Sequence, residues 1–124
     1  MSIPTIIIFY RIASLLLLLA LFTVGSVPAV GQAFTGPTHW LVHLAAYALI
    51  AVTFGLGWQN VRLAFVVAIV FTIGAFHELT EIITHNHGFE FNDAVVNGLG
   101  ALIGVAVVYL LRNFGQKEKP PSYL

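Results

Sequence analysis

Cysteine is absent from the 124 residues, which excludes disulfides, thiolate nucleophiles and thiolate-bound zinc or iron–sulfur centres. Any metal would have to be held by His and carboxylate. Charge is nearly as scarce: 8% of residues are Asp, Glu, Lys or Arg against 59% hydrophobic. A soluble domain of this size could not be kept in solution with that ratio, and the chain belongs in a bilayer. Basic clusters are missing too. Arg11, Arg62, Arg112, Lys117 and Lys119 are scattered and the formal net charge is zero, so the chain has no electrostatic footprint for nucleic acid. No internal repeat and no long polar stretch is found, and residues 1–124 read as a single membrane domain.

What the chain does have is a succession of apolar runs, each close to the ~20 residues that span a bilayer as a helix. They predict an all-α, four-transmembrane-helix bundle with spans at about 6–24, 39–57, 63–85 and 94–111. Arg11 interrupts only the first run, near one end, where its long side chain can reach the interface. The small residues Gly25, Ser26, Pro28 and Ala29 after that run also fit a signal-peptide cleavage site, but we read a retained span. Residues 31–38 read as a short uncharged loop, Gly57 to Asn60 as a turn with Trp58 at interfacial depth, and Thr84 to Asn92 as a polar loop. Asn92 or Asp93 is expected to cap the fourth span. Residues 113–124 read as a polar, poorly ordered cytoplasmic tail.

This arrangement sorts the ionisable residues by side. All five Lys and Arg fall at one end of the spans, while His39, His43, His77, His85 and His87 fall at the other with Glu78, Glu81, Glu90 and Asp93. Positive charge in short loops marks the cytoplasmic side, so both termini are expected in the cytoplasm and the His and acids at the outer face.

Helical phasing then gathers part of that outer set. Gly74, Glu78, Glu81 and His85 are spaced four, three and four apart, within a stripe about 60° wide. Glu78 would lie at or below the headgroup boundary, where an ionised acid needs a partner. His77 is rotated about 100° from the stripe. Asp93, Asn97, Gly100 and Gly104 repeat the same spacing on the fourth span. Gly100 and Gly104 form a G-x-x-x-G pair suited to close helix packing, for which span three is the expected neighbour. On span two, His39, His43 and Tyr47 follow one another at single turns. Three spans therefore direct polar stripes inward at a common depth.

Ionisable residues at membrane depth are functional by default, and a hydrogen-bonded latch between helices is the plain alternative. His85 and His87, with Glu81 and Asp93 nearby, offer nitrogen and oxygen ligands for a zinc-like ion, although His-x-His in a Gly-containing loop also fits a solvated turn. No cofactor motif is present and no cofactor is expected.

The segments His43 to Leu49 (H-L-A-A-Y-A-L), Gly74 to Glu81 (G-A-F-H-E-L-T-E) and Asp93 to Gly104 (D-A-V-V-N-G-L-G-A-L-I-G) together resemble the VanZ-like family of small bacterial membrane proteins. The resemblance covers roughly residues 35 to 110, with His43, Tyr47, Glu78, Asp93 and Asn97 at the family's polar positions. His39 and Trp40 stand where the family usually has an Asp-Lys pair, Glu81 where it has Gln, and His87 where it has Arg. The resemblance implies a multi-pass protein of the bacterial cytoplasmic (inner) membrane, active in the cell envelope; the family's namesake is linked to resistance against the glycopeptide antibiotic teicoplanin.

Two functions are expected from this reading. In the first, the outer polar cluster binds or acts on a lipid-linked or glycopeptide-type ligand, with Glu78 as acid/base, His43 as its partner, and Tyr47, Glu81, His85, Asp93 and Asn97 as binding groups. In the second, the chain is a non-enzymatic accessory subunit of a larger membrane complex, surrounded by lipid and by other membrane subunits. A proton pathway is disfavoured because the acids occupy only one half of the spans.

Overall fold

The computed structural model describes residues 2–86 and 88–117. They form five helices: α1 (Ile3–Gly25), α2 (Pro28–Ala33), α3 (Pro37–Gly57), α4 (Leu63–His85) and α5 (Phe91–Lys117). Four of these, all but α2, are long and apolar enough to cross a membrane. The chain is thus a multi-pass, all-helical membrane protein, as its apolar runs predict. Large apolar side chains such as Leu16, Phe71, Phe76 and Leu102 face outward, toward lipid.

Boundaries depart from the sequence reading in three places. Pro28 begins the short helix α2, which runs into the stretch 31–38 expected to be loop; the fixed φ of proline suits a first helical position. The fourth long helix starts at Phe91, so neither Asn92 nor Asp93 is its cap, and Asp93 lies within the first turn. The same helix continues to Lys117, beyond the expected end near Leu111. The remainder of the expected tail, 118–124, lies outside the described residues.

Two positive-φ backbone positions redirect the chain at one end of the bundle. Gly36, with φ 59°, precedes the Pro37 that opens α3, and Asn86, with φ 54°, ends α4. Glycine and asparagine are the residues that tolerate this region best.

α3 is the central helix. It packs against α1 and α4 but most intimately against α5. Successive contacts pair His39 with Asp93, His43 with Asn97, Ala51 with Gly104 and Gly55 with Val108, so the offset stays at 53 or 54 residues along the whole interface. A constant offset of one sign means that the two helices run parallel. Glycine makes the approach possible: a Cβ on Gly100 would lie 2.6 Å from the Leu44 carbonyl oxygen, and one on Gly104 would come within 2.7 Å of Ala51 Cβ. The G-x-x-x-G pair therefore packs on α3, the second span, and not on the third span as expected. The motif specifies close approach to another helix, and the small residues Ala48 and Ala51 on α3 supply the matching surface.

At the end of the bundle away from the histidines, two arginines from other helices cap α3. Arg112 Nη2 donates to the Gly55 carbonyl at 2.6 Å, and Arg11 Nε donates to the Gly57 carbonyl at 2.8 Å. Arg11 also lies over the Trp58 ring, 5.5 Å from its centroid. α3 carries no basic residue in its own last turn, so α1 and α5 provide the charge that its terminal carbonyls and dipole favour. Between the two ends lies an apolar core built on Tyr47, Ile50, Ala51, Val66, Val70 and Ala101.

Candidate functional site

The site lies at the histidine end, where α3, α4 and α5 begin or end together. On α3, His39, His43 and Tyr47 succeed one another at four-residue intervals and their rings form a column: His39 and His43 centroids are 4.4 Å apart, and His43 and Tyr47 are stacked at 6.3 Å. On α5, Asp93 and Asn97 are one turn apart and face the first two members of that column. His39 Nε2 lies 2.9 Å from Asp93 Oδ2, and His43 Nδ1 lies 2.9 Å from Asn97 Oδ1. An amide oxygen can only accept, so His43 carries its proton on Nδ1, and neutral His43 keeps a lone pair on Nε2.

α4 supplies the third stripe. Gly74, His77, Glu78 and Glu81 are all buried and His85 is half-buried, a broader arc than the one expected because it includes His77. The two glutamates serve different neighbours. Glu78, 1% exposed, accepts the Glu90 backbone N–H at 2.8 Å through Oε1 and thereby ties the start of α5 to α4. Glu81 turns toward the other side, its Oε2 3.6 Å from His77 Nδ1, too long for a hydrogen bond. Gly74 permits this crowding: a Cβ there would stand 3.3 Å from the Tyr47 ring and 3.4 Å from Asn97 Cβ.

Of the residues expected to form the site, His43, Tyr47, Glu78, Glu81, Asp93 and Asn97 are all buried at this end. Glu78 and His43 share no hydrogen bond: the first holds Glu90, the second Asn97. His87 lies outside the described residues. Two residues gain importance. His39 joins Asp93, and His77 packs against α1, where it meets Phe22 edge-on at 5.7 Å and where any Cβ on Gly25 would overlap its imidazole. His77 stands three residues from Gly74 and four from Glu81, so a buried arc of ordinary width contains it; a stripe restricted to 60° does not.

Several cavities meet at this cluster. A groove of about 260 Å³ runs between α1, α2 and α3, with apolar walls such as Leu17, Leu21, Val42 and Ile50 and with His39, His43, His77 and Glu81 at its polar end. A second cavity of about 250 Å³ is lined by Gln32, His39, Glu81, His85, Glu90 and Asp93. His39 and Glu81 border both. Several buried polar atoms here have no hydrogen-bond partner among the described residues: the Tyr47 hydroxyl, Glu78 Oε2, Asp93 Oδ1 and Asn97 Nδ2. Buried polar atoms of native proteins are nearly always satisfied, and exceptions cluster where a ligand, ion or water binds.

No family model, no curated protein and no solved structure matches the chain. Function must accordingly be argued from the site.

The arrangement combines an apolar slot, three imidazoles and carboxylates on two helices. Such a site can hold a molecule with an apolar tail and a polar or anionic head.

Proposed function

We propose that this chain is a VanZ-like protein of the bacterial cytoplasmic membrane, both termini cytoplasmic, that binds a lipid-linked envelope ligand at its outer face. The observation that carries this reading is the groove between α1, α2 and α3, mostly apolar along its walls and lined also by His39, His43, His77 and Glu81. A hydrocarbon chain matches the walls, and a head group bearing phosphate or sugar hydroxyls matches the imidazoles and the carboxylate. Binding is the function assigned, and no reaction is ascribed to Glu78, which is committed to the α4–α5 connection.

Native mass spectrometry of the protein released from mild detergent, followed by organic extraction, tests this. Wild type should carry a lipid-linked species enriched over bulk phospholipid. Ala46→Trp, which places an indole in the groove, should lose it. Equal lipid content in both proteins would refute the reading, and recovery in a discrete larger complex with an empty groove would instead assign an accessory subunit.

A further inference from the structure

We propose that His39, His43 and Asp93 form a binding site for a zinc-class divalent metal ion. One ligand atom from each lies within 4.8 Å of the others, against about 3.3 Å between ligand atoms around tetrahedral zinc. His39 is the partly exposed member, with 21% of its side chain accessible, and an ion would draw the three ligand atoms closer together. Its Nε2 and Asp93 Oδ2, 2.9 Å apart, share a proton that a metal ion would replace.

Three independent features point to a ligand. Asp93 is 2% exposed and its Oδ1 has no hydrogen-bond partner among the described residues, although it borders the second cavity. His43 donates Nδ1–H to Asn97, an outer contact of the kind that fixes the tautomer of metal-ligating histidines, and ligation through Nε2 would keep it. His39 borders both cavities and His43 the groove, so an ion held by three protein ligands keeps a coordination position open there, as ligand-binding zinc does and structural zinc does not. Two imidazoles and one carboxylate favour zinc and its transition-metal neighbours over magnesium or calcium. An anionic head group would take the open position; that step alone rests on the binding reading above.

The test uses full-length protein in detergent without a polyhistidine tag, stripped with chelator and titrated with zinc alone against a chromophoric competitor. Wild type should take up one zinc per chain. His39→Gln, His43→Gln and Asp93→Asn should each weaken binding at least ~100-fold, and Asn97→Ala about 10- to 100-fold. The double substitution His85→Gln with His87→Gln should leave binding unchanged. Where a ligand variant does not fold, X-ray absorption of the zinc-loaded wild type decides: two imidazoles with oxygen support the site. No uptake by wild type, loss of uptake in the His85/His87 variant, or a different imidazole count overturns it. None of these outcomes depends on whether a lipid occupies the groove.

Discussion

His43 Nδ1 and Asn97 Oδ1 meet at 2.9 Å across the α3–α5 interface, both more than nine-tenths buried. Removing one partner leaves the other unsatisfied at a cost of about 1–3 kcal/mol, whereas replacing both by apolar groups of similar shape approaches neutrality. Asn97→Ala and His43→Ala should therefore each lower stability, and His43→Phe with Asn97→Leu should recover most of the loss. Unfolding of the two single variants and of the pair in mixed micelles compares these losses directly. Additive losses would show that the contact contributes nothing.

Glycines of the same helix should respond differently to the same change. Gly104→Ala drives a methyl group into Ala48 and Ala51, while Gly98→Ala places one 3.5 Å from the Phe71 ring, an ordinary contact. The first should destabilise by about 1–3 kcal/mol through overpacking. The second should be neutral or slightly stabilising because alanine is the better helix former. Thermal melting of the two variants in one detergent compares them directly.

Glu78 offers a means of separating architecture from chemistry. Its Oε1 accepts the Glu90 N–H, and the carbonyl of glutamine can accept the same bond. Glu78→Gln should keep the Glu90 amide protected from hydrogen exchange, whereas Glu78→Leu should expose it. Loss of ligand binding in the Gln variant with protection intact would then report the carboxylate itself and not a displaced loop.

Orientation is accessible because the chain has no cysteine of its own. A single cysteine replacing Gln32, at the histidine end, should react with a membrane-impermeant maleimide in intact cells. One replacing Gln59, at the arginine end, should react only after permeabilisation. The reverse pattern would place the site in the cytoplasm and remove the basis for an envelope ligand.

The four spans were legible because apolar length is set by the bilayer and leaves little freedom, and α4 starts and ends where its apolar run does. That the polar groups gather at one end of the bundle was legible for the same reason. Partner choice was not. Spacing shows that Asp93 and Asn97 share a face, yet only the parallel docking of α5 on α3 decides that they meet His39 and His43 and not the glutamates of α4. Gly100 and Gly104 announced close contact without naming the helix, and sequence neighbours were the wrong guide because α3 and α5 are two spans apart. α2 was hidden by its own composition: Pro, Ala and Gly around Val30 read equally as loop.

The most intimate interface of the bundle joins α3 to α5, and this orders its biogenesis. Synthesis runs from the N terminus, so α3 reaches the membrane with His39 and His43 before Asp93 and Asn97 have been made. Until α5 inserts, those imidazoles lack the partners that make their burial tolerable, and the carbonyls that Arg112 caps wait equally. Insertion of α5 is thus the event that both closes the polar cluster and locks the opposite end, and a nascent protein ending before Phe91 would present the quality-control machinery with exposed polar groups on an otherwise apolar span.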